Sequence, residues 1–268
     1  MDKGKTFRAL HEAAGAFVIP NPWDIGTAKL LTSFGFKALA TTSAGFAFSR
    51  GLPDGAVGFE MMIHHCRELA HATDLPVSAD LEKGKGDSPE SAGETIFAAS
   101  AAGLAGCSIE DSTGNPDAPI YEFGLAVERV AAAVDARRSL KHDFMFTARS
   151  ENFLWGRLDL DDTIKRLQAF EKAGADVLYA PAITDLAMVE TICKSVSKPV
   201  NVLSVPDFTV AALARAGAKR ISLGSKLTTY CYGLLQGAAR EMLEQGTFEF
   251  SRGGMAFGEA QKLFGKAR

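Results

Sequence analysis

Two carboxylates one residue apart, at the end of an apolar run and the start of a glycine-rich turn, are the first residues of this chain with chemistry to offer. The stretch is Pro76-Val-Ser-Ala-Asp80-Leu-Glu82-Lys-Gly84-Lys-Gly86-Asp87. Residues i and i+2 of a strand point to one face, so Asp80 and Glu82 converge if the strand continues that far. Hard oxygen ligands beside a flexible loop suit Mg²⁺, which takes one or two carboxylates and fills its remaining positions with water and substrate oxygens. The same residues also make an ordinary surface turn, and paired carboxylates occur in structural networks too. What decides between the two is the company the stretch keeps.

That company must be positioned by a fold. The 268 residues fit one large α/β domain over 1–268, and 47% hydrophobic with 23% charged residues is ordinary for a soluble globular protein. A net charge of −3 gives no reason to expect a nucleic acid or an anionic membrane as partner. No apolar run approaches the roughly 20 residues that cross a bilayer, and Met1–Phe7 lacks the apolar core of a signal peptide. Cys66, Cys107, Cys193 and Cys231 are spaced neither as a disulfide framework nor as a zinc site. A cytoplasmic protein is expected.

Apolar strands are predicted at Phe17–Pro20, Ala38–Thr42, Val77–Leu81, Gly106–Glu110, Phe144–Arg149, Val177–Ala180, Val200–Leu203 and Arg220–Leu223. An amphipathic helix opens the chain at Lys5–Ala14. Further helices fall at Ile25–Phe34, Glu60–His71, Pro89–Ala102, Tyr121–Ala136, Asp161–Lys172, Leu186–Val196 and Asp207–Ala216. Gly35, Gly103, Gly174 and Gly217 each stand just before a strand, where glycine ends a helix without a Cβ penalty. Eight such units predict a (β/α)₈ TIM barrel. Two more helical segments, Lys226–Glu244 and Gly254–Lys266, exceed what a barrel needs and leave a C-terminal helix free to pack elsewhere.

TIM-barrel sites are built at the C-terminal strand ends. Those ends carry Asn21-Pro-Trp23-Asp24, Thr41-Thr42-Ser43-Ala44-Gly45, Asp80 with Glu82, Glu110-Asp111, Arg149-Ser-Glu151-Asn152, Ala180-Pro181, Asn201 with Leu203, and Gly224-Ser225. Asp80, Glu82 and Glu110 can hold one Mg²⁺, mostly through water, with Mn²⁺ as a substitute. Small side chains let the Ser43–Gly45 amides approach an anion as an oxyanion hole, and Arg149 offers a bidentate fork for a carboxylate. Thr42 and Asn201 complete the substrate-facing set, which Trp23 either joins or leaves by packing under the first loop; Glu151 orients Arg149 or Asn152, or forms a structural ion pair with Arg149. Asp111 is expected to cap or pair locally. Asp54 makes a turn or folds over the site. His64, His65 and His71 are expected at a helix surface, and Cys107 in the helix layer.

In order along the chain, Pro20-Asn-Pro-Trp-Asp24, Thr42-Ser-Ala-Gly45, Asp80-Leu-Glu-Lys-Gly-Lys-Gly86, Ile109-Glu-Asp111 and Thr147-Ala-Arg-Ser-Glu151 resemble the isocitrate lyase/phosphoenolpyruvate mutase superfamily. The resemblance runs from about Phe17 to Gly224 and keeps the family's D-x-[DE]-x-G-x-G pattern in full. It implies a (β/α)₈ barrel with Mg²⁺ on an α-oxo acid or its enolate, Asp80 as direct ligand, and Glu82 and Glu110 on metal-bound water. It places Ser43–Gly45 on the oxo-acid end and Arg149 on the same carboxylate or the enolate oxygen. It also implies a homo-oligomer, tetramer or dimer, built by exchange of a C-terminal helix.

Departures narrow the activity. Isocitrate and methylisocitrate lyases carry K-[KR]-C-G-H after the fourth strand, whereas Asp111–Tyr121 here holds no Cys, Lys or His. Phosphoenolpyruvate mutases carry lysine and asparagine in that loop and a histidine after the sixth strand; here only Asn115 is present, and the strand ends in Ala180. The expectation is an Mg²⁺-dependent lyase cleaving a C–C bond of a small 2-oxo or 2-hydroxy dicarboxylate through a pyruvate enolate, by decarboxylation or retro-aldol-type cleavage. The alternatives are a P–C bond enzyme and a 2-oxo-acid-binding protein with little turnover.

Overall fold

The computed structural model describes residues 2–265. Eight parallel strands make a nearly closed barrel in the order β1-β8-β7-β6-β5-β4-β3-β2. They are β1 Phe17–Ile19, β2 Leu39–Ala40, β3 Val77–Asp80, β4 Gly106–Glu110, β5 Met145–Arg149, β6 Val177–Tyr179, β7 Val200–Leu203 and β8 Arg220–Ser222. β1 and β2 share no ladder; the Ala40 amide donates to the Pro20 carbonyl across that seam at 3.0 Å. Asn21 then stitches the rim, donating to the Thr41 carbonyl (2.9 Å) and accepting from the Leu223 (2.8 Å) and Gly224 (3.1 Å) amides.

The helices are α1 Lys3–Glu12, α2 Ile25–Ser33, α3 Ser43–Ser49, α4 Phe59–Ala72, α5 Pro89–Ala101, α6 Phe123–Ser139, α7 Leu160–Ala173, α8 Leu186–Ser195, α9 Val210–Arg215, α10 Lys226–Glu244 and α11 Phe257–Phe264. The predicted elements are all present; β4, β7 and α10 have the predicted bounds and the others have shifted ends, and Lys266, the expected end of the last helix, lies outside the described residues. Short polar residues open the helices by accepting orphan amides: Asp24 forms a capping box with Thr27, Ser88 caps α5 ahead of Pro89, and Asp159 caps α7. The four glycines expected as helix stops all have left-handed φ, from 84° to 110°.

The helix layer packs outside the sheet in one large apolar core that includes Cys66 and Cys107. A second, smaller core plugs the N-terminal end of the barrel. There Phe7 of α1 is fully buried with Ile19, Ala38, Ala105, Met145 and Val177. Among the described residues, that plug fills the N-terminal end, and the barrel cavity is lined by residues of the C-terminal strand ends among others.

Candidate active site

Asp80, Glu110 and Arg149 are the last residues of three adjacent strands, and Glu110 pairs in register with Arg149. The Arg149 Nη1 lies 3.3 Å from both Asp80 Oδ1 and Glu110 Oε2, while Nε donates to Glu151 Oε1. Its guanidinium also lies over the Tyr179 ring, 5.2 Å from the centroid. The open fork expected from the sequence is therefore committed to three carboxylates.

Glu82 reaches this cluster by a route that strand periodicity does not give. β3 ends at Asp80, and Glu82 takes φ 51°, in the left-handed region. The strand alternation invoked for the pair does not hold; a tight turn brings Glu82 back, with its amide 3.4 Å from Asp80 Oδ1 and its carbonyl accepting from the Glu110 amide at 3.0 Å. Burial, then Asp80, pushes the Glu82 carboxyl up to about 7. Burial also raises Glu110 well above the usual range, with Arg149 opposing and Glu151 and Asp80 adding. Asp54 rises through burial and the Asp80 charge, and it lines both cavities at the rim, so the Gly51–Gly55 turn does fold over the site.

Asp54, Asp80, Glu82, Glu110 and Glu151 thus crowd one guanidinium, and Glu82 Oε1 is buried with no hydrogen-bond partner. An excess of oxygen anions with an orphaned acceptor fits a hard divalent cation. Among the described residues no three His, Cys, Asp or Glu side chains already form a coordination shell. A cation here would be held by one or two carboxylates, with water and ligand oxygens in its other positions.

Ser43, Ala44 and Gly45, read from the sequence as a small-residue strand end with no helix predicted there, form the first turn of α3, which Thr42 caps by accepting the Gly45 amide at 3.1 Å. Of the three amides proposed for anion binding, Gly45 is thus engaged, leaving those of Ser43 and Ala44 at the open helix end. Gly45 has a packing reason to lack a side chain: a Cβ there would stand 2.5 Å from both Thr228 Oγ1 and Thr42 Cγ2. Ser43 Oγ donates to Asp80 Oδ2 at 3.0 Å, tying the second strand end to the third.

The buttresses behind this rim were not identified from the sequence. Arg129 of α6 donates to the carbonyls of Gly86 (2.7 Å), Ser88 (3.2 Å) and Lys83, and its guanidinium lies 4.5 Å from the Tyr121 ring centroid. Asp111, expected to pair locally, accepts from the Glu151 amide at 2.8 Å and from Arg166 at 3.2 Å, both distant in sequence. Lys83 Nζ donates to Asp87 Oδ1 (2.7 Å) and to the Thr113 carbonyl (2.9 Å), which brings an ammonium to the loop after β4. A charged residue on the apolar stripe of a helix, as at Arg129 and Arg166, was the available signal. His65 corrects the surface expectation: it is 4% exposed, stacked on Phe46 at 3.7 Å, and burial lowers its pKa to about 4.

A cavity of about 180 Å³ runs from the rim into the barrel, lined by Thr42, Ser43, Ala44, Asp80, Arg149 and Asn201 among others. Beside it a cleft of about 560 Å³, with Glu82, Lys83, Glu110, Glu151 and Trp155 on its walls, extends under the loop after β4. Trp155 Nε1 donates to Ser112 Oγ at 3.1 Å at its edge. Among the described residues, Trp23 and Gly45 line neither space. Asn201 lies deep in the first, donating to Ser222 Oγ at 3.0 Å.

Fold and rim together define a parallel α/β barrel with an acidic, arginine-containing site at its C-terminal strand ends. The chain belongs to the phosphoenolpyruvate phosphomutase family, whose sequence model matches residues 7–243, and hence to the isocitrate lyase/phosphoenolpyruvate mutase superfamily. It is 49% identical to a putative lyase/mutase from Burkholderia cenocepacia J2315, over 99% of this chain and 96% of that one, with a TM-score of 0.97. It is 32% identical to the 2-methylisocitrate lyase of Escherichia coli K12, over 74% of this chain and 68% of that protein. A phosphonopyruvate hydrolase, solved with oxalate and Mg²⁺, shares the fold at a TM-score of 0.87 and 22% identity, over 98% of this chain and 95% of that one. The superfamily comprises enzymes with lyase, hydrolase and mutase activities. Among the described residues no helix is long and apolar enough to cross a membrane.

Proposed function

We propose that this chain is an Mg²⁺-dependent lyase that cleaves a C–C bond of a small 2-oxo or 2-hydroxy dicarboxylate and leaves a pyruvate enolate to be protonated. The observation that carries the reading is the crowding of Asp54, Asp80, Glu82, Glu110 and Glu151 around Arg149 at one cavity mouth. Asp80 would hold the cation, with Glu82 and Glu110 on its waters; Mn²⁺ would substitute. When bound, that cation supplies Lewis-acid polarisation of the 2-oxo acid. Arg149, held by Glu151, would turn a guanidinium edge to the oxo-acid end. The Ser43 hydroxyl and the Ser43 and Ala44 amides would face the negative charge that develops there. The loop after β4 holds no cysteine, which argues against an isocitrate-lyase-type acid.

The test is NMR of the protein with Mg²⁺ and oxaloacetate, followed by malate-like acids, watching for pyruvate above the uncatalysed background. Pyruvate formation that disappears with EDTA and in Asp80→Ala is expected; an unchanged rate in that variant overturns the mechanism. One observation favours a second reading. Lys83 brings an ammonium to the loop that carries Asn115, so P–C bond chemistry is tested alongside by phosphate release from phosphonopyruvate. Tight Mg²⁺-dependent oxalate binding with no turnover would instead make the chain a 2-oxo-acid-binding protein. The proposal extends to a homo-oligomer formed by C-terminal helix exchange. α10 buries only Thr228 and Ala238 while Tyr230, Leu235 and Leu243 are exposed, and α11 buries none of its residues. Light scattering at the monomer mass would refute it.

A further inference from the structure

The floor of the barrel cavity holds a cation that the rim chemistry does not use. Arg220 opens β8, in register with Phe17 of β1 and Asn201 of β7, and is 5% exposed. The buried arginines around the site have anionic or carbonyl oxygens beside them: Arg149 has three carboxylates, Arg166 has Asp111 and Asp162, and Arg129 has three backbone carbonyls. Arg220 forms no ion pair with the carboxylates of the described residues. Its partners are the Asn201 Oδ1 at 2.8 Å, the Thr147 Oγ1 at 3.0 Å and the His11 Nε2 at 3.5 Å.

None of those partners carries negative charge. His11 Nδ1 lies 2.8 Å from the Phe7 carbonyl, which can only accept, so Nδ1 bears the hydrogen and Nε2 turns its lone pair to Arg220. Burial and the neighbouring guanidinium keep that imidazole neutral. A guanidinium has five N–H groups in a fixed fork. One contact at each nitrogen leaves one N–H on each terminal nitrogen without a protein acceptor. Arg220 lines the cavity together with the hydroxyl residues Ser78, Ser108 and Ser222. Burial lowers its pKa only to about 10, so it stays charged at neutral pH. A buried, charged and uncompensated group facing a hydroxyl-lined cavity is costly unless an anion completes it.

We propose that Arg220 is a seat for an oxyanion on the barrel floor, where the second anionic group of the substrate, carboxylate or phosphoryl, enters ahead of the oxo-acid end held at the rim. Assigning that anion to the substrate rests on the function proposed above; the seat itself does not. The test is thermal unfolding of the full chain in EDTA, titrated with inorganic phosphate or malonate against NaCl at matched ionic strength. A saturable stabilisation of the wild type by phosphate, malonate or both is expected. Phosphate alone would assign the seat to a phosphoryl group, malonate alone to a carboxylate.

Arg220→Met should weaken that apparent affinity by about 30-fold or more, as expected for truncating one partner of a buried charge pair. A wild type that responds no more than to NaCl, or a variant that keeps the full response, overturns the seat. If Arg220→Met does not fold, Asn201→Asp decides, because it sets a counter-charge beside Nε: lost anion response supports the seat and an unchanged one refutes it. Mg²⁺-dependent oxalate binding and its loss in Asp80→Ala are measured separately. Failure there removes the rim mechanism and leaves the floor result standing.

Discussion

At the rim of the barrel Arg149 stands among Asp80, Glu110 and Glu151, whereas deeper in the same cavity Arg220 meets only an amide, a hydroxyl and an imidazole. The same residue type is set in opposite electrostatic surroundings. Carboxylates outnumber the cation at the rim, so that end is poised to receive positive charge. The floor has a cation and no anion, so it is poised to receive negative charge. On the function and the floor seat proposed above, a small molecule carrying two anionic groups and chelating a metal at one of them would satisfy both ends together. Neither end is balanced by the protein alone, and that imbalance distinguishes a binding cavity from a packed polar core.

The sharpest way to break this contrast is to remove the rim's own cation. Arg149→Met should lower kcat/KM by roughly 100- to 1,000-fold, the scale for losing one preorganised charge-stabilising group, while a floor variant leaves Mg²⁺-dependent oxalate binding intact. Steady-state kinetics on whichever acid is turned over measures this, and a fall under tenfold would mean that Arg149 only balances its neighbours.

The next effect is on stability. Arg166→Met strands Asp111, 3% exposed, whose other oxygen holds the Glu151 amide. Breaking such a buried pair costs about 3–5 kcal/mol, to be read from urea unfolding, and Asp111→Asn in the same background should recover part of it. Gly45→Ala is smaller. The added methyl would crowd Thr42 and Thr228, and overpacking of this kind costs about 1–3 kcal/mol. A variant as stable as the wild type would show that α10 yields freely at the rim.

An effect of similar size, visible only as acid is added, concerns two buried imidazoles, His65 behind the rim and His11 beneath the floor. Burial lowers them to about 4 and about 3, with Arg220 adding to the shift of His11. The unfolded chain therefore takes up these protons first. Their stabilisation is whole above pH 6.5 and is lost as pH falls toward those values, at up to about 1.4 kcal/mol per pH unit for each group. His65→Phe and His11→Gln should each flatten the fall in urea midpoint between pH 6.5 and 4.5. Slopes unchanged from wild type would mean that the imidazoles are protonated in the folded state.

Much of this architecture is legible in the order of residues alone. Eight short apolar runs, four of them led by a glycine that stops a helix, specify βα repetition, because strand burial and left-handed helix ends are written in local residue type. The placing of Asp80, Glu110 and Arg149 on one rim follows from the rule that parallel barrels open at their C-terminal strand ends. Local pattern misleads where a short element competes with a loop. Thr42-Ser-Ala-Gly-Phe follows a strand and carries no helical periodicity long enough to read, yet Thr42 caps a seven-residue helix that packs against α10. It misleads again at Glu82, where the carboxylate arrives by a left-handed residue and not by strand alternation.

By itself, then, the sequence determined the barrel, the identity of its rim residues and the surplus of acid over base among them, since these depend on periodicity and on which residues end strands. Only the tertiary structure decided how charges pair. Arg129, Arg166 and Arg220 are indistinguishable as single letters, but one is saturated by carbonyls, one by carboxylates and one by no anion at all. The partners that make the difference, among them Gly86, Asp111, Asn201 and Thr147, stand 19 to 73 positions away along the chain. A Coulomb interaction depends on distance through the fold and on the water it excludes, not on separation in sequence.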